Sequence, residues 1–355
     1  CRDHYPAEFS YGKRHRETLR TDRQGKIAIS GKGVAAECTE MSSEHSMRIG
    51  IDLGGSKTEG ILLGGNGEIL IRKRVATPSG DYRGIVAAVT ALVEELEADV
   101  DDKLPVGIGT PGAISLKTGR MKNCNATCLN DMPLKEDLDR SLERPVRIAN
   151  DADCMTLSEA SDGAAADFEN VFGVILGTGV GGGVCIHGSL VSGINAIAGE
   201  GGHTTLPLSA YQCDQSQDLQ APKPALRSCF CGRYDCVETY LSGPGLQRTY
   251  LETSGSELRV EQIVELASTD DAVAVAVLEQ YSNLLALALS SVINILDPAA
   301  IVLAGGLSNM QSLYNKVPEY WSSYVFSDQI STRLLQSKHG DSSGVRGAAW
   351  LWPKT

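Results

Sequence analysis

Basic charge is scarce in this chain. Its 355 residues carry 32 Lys and Arg against 44 Asp and Glu, a formal charge of −12, which argues against a nucleic acid or an anionic membrane surface as partner. Charges are dispersed without runs of one sign, so the acidity reads as ordinary solubility. Long hydrophobic runs are missing too. The longest apolar stretch, 284–296, is broken by Ser290, Ser291 and Asn294 and reads as too short to span a bilayer. The Arg-, Lys- and Glu-rich N-terminus has no apolar core of a signal peptide. Ten cysteines are present but in no regular disulfide framework. Cys124, Cys128, Cys154 and Cys185 sit singly in or beside apolar segments, as small buried thiols do. A reducing, cytoplasmic location is the expectation.

What is there begins at Met47. Residues 1–46 are mixed in charge and aperiodic, and read as an unstructured leader or a start assigned too far upstream. The texture then changes to an apolar strand, Met47-Arg-Ile-Gly-Ile-Asp-Leu53. Further strands are expected at 61–63, 69–72, 106–109, 146–149, 171–176 and 301–304. Apolar residues at 85, 86, 89, 92, 93 and 96 predict an amphipathic helix over 81–96. Helices are also predicted over 151–165, over 274–296 and after a cap near Ser308. The class is α/β. Two halves are expected, 47–165 and 166–340, with a C-terminal helix within 341–352 packing back on the first. A faint repeat supports this: Ile49-Gly-Ile-Asp-Leu-Gly-Gly-Ser56 resembles Gly173-Val-Ile-Leu-Gly-Thr-Gly-Val180, each a buried strand, a Gly-rich turn and a second apolar strand.

A Gly-rich turn after a strand lets backbone N–H groups approach a phosphate with no Cβ in the way. Asp52-Leu-Gly-Gly-Ser-Lys57 adds a carboxylate suited to a magnesium shell, a hydroxyl and a cation, although a glycine pair after a strand also serves as a plain hairpin turn. The segment Gly177-Thr-Gly-Val-Gly-Gly-Gly183 is glycine-dense beyond what a turn needs. The pair favours a nucleotide clamp, but neither copy fits the Walker or Rossmann pattern.

Asn150-Asp151 follows one strand and precedes a helix. Asp151 is either a helix cap or a general base at a strand end, and one carboxylate can be both. Cys229, Cys231 and Cys236 lie in a polar loop that cannot bury them, and with His203 they make a closed tetrahedral zinc set. Cys213 is the alternative fourth ligand. Glu200 and Glu238 flank this set and are either solvated loop charges or ligand contacts. His187 and His339 have no evident partner.

In this order, the motifs resemble the ROK family (repressor, open reading frame, kinase) of bacterial sugar kinases and regulators. The resemblance covers 47–353. Its most specific parts are Gly199-Glu200 through His203, and Cys229-x-Cys231-Gly232 through Cys236-x-Glu238. Arg147-Ile-Ala-Asn-Asp-Ala152 and His339-Gly-Asp-Ser-Ser-Gly-Val-Arg-Gly-Ala-Ala-Trp350 resemble the fructokinase or mannofructokinase branch most. It implies a two-lobed actin/hexokinase-like (ribonuclease H-like) fold with a structural zinc loop. It also implies an ATP-dependent hexose kinase, foremost a fructokinase also acting on mannose and giving the 6-phosphate. The alternatives are an N-acetylglucosamine or glucose kinase and, further off, a sugar-responsive repressor, for whose DNA-binding domain 1–46 is too short.

The roles that follow by resemblance are these. Asp151 is the catalytic base. Asn150, Glu200, His203, Glu238, Asn125 and Gly112 contact the sugar. Gly50, Asp52, Gly54, Gly55, Ser56 and Lys57, with Gly177, Thr178, Gly179, Val180, Gly181, Gly182 and Gly183, wrap the phosphates of magnesium-bound ATP. Gly305 and Gly306 lie against the adenosine. His203, Cys229, Cys231 and Cys236 hold structural zinc. Partners are a hexose and ATP, with a homodimer compatible. Departures from the pattern are Ser56 for Thr, Gly201 for an aromatic, Cys128 for Trp, and Asp235 for Gly. The changes at 201 and 128 imply a wider sugar pocket, and that at 235 a strained zinc loop.

Overall fold

The computed structural model describes residues 47–209 and 226–353. The expected leader and Cys213 lie outside them. Two five-stranded sheets share one plan. The first is built from β1 (Arg48–Leu53), β2 (Lys57–Leu63), β3 (Ile69–Ala76), β4 (Val106–Thr110) and β7 (Val146–Asn150), in the order β3-β2-β1-β4-β7. β1, β2 and β3 pair antiparallel, and β4 and β7 continue from β1 in parallel. A short hairpin, β5 (Ala113–Ile114) and β6 (Met121–Lys122), follows β4. The second sheet is built from β8 (Asn170–Leu176), β9 (Val180–Ile186), β10 (Ser189–Leu190), β11 (Ala300–Ala304) and β12 (Arg333–Gln336), in the order β10-β9-β8-β11-β12. Its pairings repeat those of the first: antiparallel through β8, β9 and β10, parallel from β8 to β11 and β12.

β1 is apolar because both faces of its sheet are covered. On one face lies α1 (Tyr82–Leu96), which buries Ile85, Val89, Leu92, Val93 and Leu96 along its inner stripe; Val86 is only half-buried. Asp81 starts it by accepting the Gly84 N–H (3.0 Å). α2 (Leu134–Leu142) extends that layer. On the opposite face lies α9 (Ser343–Trp350), and α3 (Asp151–Ser161) packs between α9 and strands β8 and β9 of the second sheet, so closely that glycines are required. A Cβ on Gly107 would strike the Ala348 carbonyl, and one on Gly347 would strike the Cys154 carbonyl. The predicted helix over 151–165 stops at Ser161, where Asp162 turns away to pair with His339 (3.0 Å), Arg346 and the Trp350 indole N–H (3.1 Å).

The second sheet supports α4 (Glu238–Leu241), α5 (Gly243–Ser254), α6 (Val260–Ser268), α7 (Ala272–Leu296) and α8 (Leu313–Tyr324). Asp271 caps α7 by accepting from Val273 N and Ala274 N. By length and composition alone α7 is long enough to cross a membrane, unlike the shorter run read from the sequence. Its Val277, Tyr281, Leu284, Leu285 and Ile293 nevertheless pack in the second core with Trp321 and Ile301. Ser308 does not cap a helix. It sits in a 3-10 turn, Gly306–Asn309, with its hydroxyl donating to the Gly305 carbonyl (2.7 Å), and α8 starts later.

Candidate active site

Two like-built hairpin turns and the ends of the parallel strands carry the chemistry. The β1–β2 turn is braced from β3: Thr77 N–H donates to the Ser56 carbonyl (3.0 Å), and its hydroxyl to the Gly54 carbonyl (2.8 Å). Gly55, Ser56 and Lys57 are exposed there. The β8–β9 turn is only Gly177-Thr178-Gly179, since Leu176 already pairs with Val180. Gly181, Gly182 and Gly183 therefore belong to β9, which corrects their expected place in the loop. A Cβ on Gly182 would lie 2.5 Å from the Gly199 carbonyl, and one on Gly183 equally close to the Thr156 hydroxyl. These glycines serve packing. Gly50 is corrected likewise: it is buried mid-strand, where its Cα admits Val345 and Ala349 of α9, not a phosphate. Gly305, at φ +83°, lies against the backbone of Leu176, beside the β8–β9 turn, and Gly306 faces open space.

Asp52, Asp151, Asp153 and Glu200 gather where β1 and β7 end, the usual site of ligands in sheets with parallel strands. The helix cap is Asn150, whose side-chain oxygen accepts the Asp153 N–H (2.6 Å). Asp151, in the first turn of α3, is thereby relieved of capping. Its carboxyl accepts the Ala152 N–H (2.8 Å), and burial raises its pKa. Burial, then Asp151 and Glu59, push Asp52 up to about 6. Asp153 goes up to about 7 through burial, Glu200 and Asp151, and its buried Oδ1 has no hydrogen-bond partner. Asp153 was not singled out in the sequence, although its spacing from Asp151 was visible. Asn150, Asp153 and Glu200 also line a cavity of about 560 Å³ with Ala113, Ala196 and Ala198. Asp151, His203, Glu238, Asn125 and Gly112 are not among its walls. Gly112 packs on Lys122 and Cys124, and Asn125 is exposed.

The cysteine–histidine set does come together. The ligand atoms of His203, Cys229, Cys231 and Cys236 all lie within 4.8 Å of one another. Cys229 Sγ is 3.6 Å from His203 Nδ1, and Cys231 Sγ is 3.6 Å from Cys236 Sγ. Tetrahedral zinc with bonds of about 2.0–2.3 Å requires edges near these values, so the four residues fit that ion. Two backbone bonds align the segments: Leu206 N–H to the Asp235 carbonyl (2.8 Å) and Val237 N–H to the Thr204 carbonyl (2.9 Å). Asp235 takes φ +53°, the left-handed conformation that glycine tolerates better. Its carboxylate compensates by accepting from Arg227 N–H (2.8 Å) and the Tyr240 hydroxyl (2.7 Å). A Cβ on Gly201 would meet the Phe172 ring at 3.7 Å, an ordinary contact.

Glu238 makes a contact that the sequence did not suggest. Its Oε2 accepts the Val180 N–H (3.0 Å), so the carboxylate is anchored to the β8–β9 turn. His339, given no partner from sequence, pairs with Asp162, and His187 lies 3.7 Å from Glu169.

Comparison with known proteins agrees with this architecture. The sequence pattern of the ROK family matches residues 48–355. An N-acetyl-D-glucosamine kinase of Photobacterium profundum is 37% identical over 305 residues, which are 86% of this chain and 99% of that protein. The ROK hexokinase of Thermus thermophilus matches with a TM-score of 0.74 at 25% identity, over 86% of this chain and 97% of that one. The ROK family glucokinase of Streptomyces griseus, solved with glucose and AMPPNP, matches with a TM-score of 0.65 at 26% identity, over 85% and 98%. With the family pattern running through both sheets and the Cys–His loop, the chain belongs to the ROK family.

Proposed function

We propose that the chain is an ATP-dependent sugar kinase whose substrate is N-acetyl-D-glucosamine. The observation that carries this reading is the 37% identity to a kinase of that sugar across nearly its whole length. The fructokinase expectation loses to its alternative on that ground. A fructokinase would share the catalytic motifs, which is why they did not rank the sugars.

Asp151 accepts the proton of the attacking sugar hydroxyl. Its raised pKa moves the carboxyl toward the range useful to a general base. Asn150 spends its side-chain oxygen on the helix cap and turns its amide N–H groups to the sugar, which Glu200 and His203 also contact. The β1–β2 and β8–β9 turns hold the triphosphate through backbone N–H groups. Asp52 is the carboxylate at hand for the shell of magnesium, which, bound with ATP, would neutralise developing charge. His203, Cys229, Cys231 and Cys236 would hold zinc, which would keep the Glu200–His203 segment in place and, with four protein ligands, leave no open position to a reactant.

A kinase assay over N-acetylglucosamine, N-acetylmannosamine, glucose, mannose and fructose tests the proposal. N-acetylglucosamine is expected to give the highest kcat/KM. Asp151→Asn is expected to lower kcat by about 10²–10⁴ with sugar binding retained. A higher kcat/KM for fructose would overturn the substrate, and near-normal turnover of the Asn variant would overturn the base.

A further inference from the structure

Glu238 stands two residues beyond the metal-set thiol Cys236, yet its carboxylate reaches the other side of the site. Val180 N–H donates to Glu238 Oε2 at 3.0 Å. Gly179 leaves the room, since a Cβ there would lie 2.5 Å from that oxygen. A second bond runs beside it, from Gly243 N–H to the Gly177 carbonyl (2.8 Å). Residues 238–243 therefore hold both ends of the three-residue β8–β9 turn.

The segment is itself fixed. Thr239 donates to the Cys236 carbonyl through its N–H (2.8 Å) and its hydroxyl (2.7 Å). The buried Arg227 guanidinium binds the Thr239 carbonyl (2.9 Å) and the Thr249 hydroxyl (3.0 Å), and lies 4.2 Å over the Tyr240 ring. A carboxylate on so rigid a base sets the shape of whatever it grips. A three-residue turn with glycine at both ends has little shape of its own.

We infer that Glu238 is a positioning residue that latches the β8–β9 turn to the metal loop, so that nucleotide affinity depends on the Cys236–Gly243 segment. The inference rests on the reading of that turn as a phosphate site. It gives Glu238 a task in addition to holding a sugar hydroxyl, the role that resemblance gave it. With Val180 N–H engaged, the amides of Thr178 and Gly179 are the ones left for phosphate oxygens.

Glu238→Ala and Glu238→Gln separate these roles. The Gln carbonyl accepts the same N–H and also removes a negative charge from beside the triphosphate. AMPPNP binding is measured by calorimetry without sugar, and exchange of the Val180 amide is followed by hydrogen–deuterium exchange. The Ala variant is expected to weaken AMPPNP about tenfold and to deprotect Val180 locally, and Gln is expected to restore both. Unchanged AMPPNP affinity in Glu238→Ala, with only the sugar KM raised, would overturn the latch, as would a Gln variant as weak as Ala. Failure of the wild-type protein to bind AMPPNP would instead overturn the phosphate site itself.

Discussion

Asp153 shows how one residue's surroundings set a pH dependence for the whole protein. Its carboxyl, pushed up to about 7 by burial, Glu200 and Asp151, binds its proton more tightly in the folded chain than in the unfolded one. Stability then falls as pH rises from about 4 to about 7, because ionisation is resisted only in the fold. Asp52, raised to about 6, acts with the same sign. Glu159 and Asp162 act with the opposite sign, since backbone and side-chain donors lower their pKa values, and their contribution is lost in acid. Asp153→Asn keeps the size of the side chain and removes the charge. The variant is expected to melt a few degrees above wild type at pH 8 and close to it at pH 5. Thermal melts at the two pH values check this, and an equal gain at both would exclude ionisation as the cause. The chemistry of Asp153 was not legible in the sequence. Acidic spacing is visible in a string of letters, but Glu200 comes to face Asp153 only after the loop before His203 has folded back.

At the scale of elements, the sequence disclosed what periodicity and punctuation control. The stripe of α1 and the strand–turn–strand pattern repeated at Ile49 and Gly173 were both legible. Glycine was the ambiguous letter. Gly50, Gly182 and Gly183 read like phosphate-loop residues, yet they are places where one element approaches another too closely for a Cβ. Only the packing distance tells the two uses apart. Gly347 is the sharpest case, because its Cα rests on the Cys154 carbonyl where α9 crosses α3. The same crossing is sealed by Glu159, fully buried, which accepts from the Ser337 (2.7 Å) and Ser343 (2.7 Å) hydroxyls and from Lys338 N–H (3.0 Å). Gly347→Ala is therefore expected to force the helices apart and to cost about 3 kcal/mol or more in denaturant unfolding. Gly306→Ala, where nothing lies within 4 Å, serves as the control and is expected to cost under 1 kcal/mol.

For the whole molecule, duplication explains why the site lies where it does. Each sheet presents a hairpin turn, β1–β2 or β8–β9, and in each the parallel strands follow in the same order. Among the described residues the Cys–His loop has one copy, beside the second sheet, and is not part of the plan that the two sheets share. It joins His203 to Cys229, positions 26 residues apart. Among the described residues of that span, Thr204 and Leu206 are tied by backbone bonds at the near end and Arg227 at the far end. A metal on the four ligands closes this loop much as a covalent cross-link does, which by chain entropy is worth about 3 kcal/mol. Chelation is accordingly expected to lower the melting temperature by roughly 4–5 °C, measured by calorimetry beside metal analysis. Nucleotide affinity should fall with it, because Glu238 reaches Val180 from the same loop. Were the melting temperature and AMPPNP affinity both unchanged in metal-free protein, the ion would have no part in shaping the site. Were phosphotransfer alone lost, with fold and nucleotide binding intact, the metal would belong to the chemistry, against the closed set of four protein ligands assembled here.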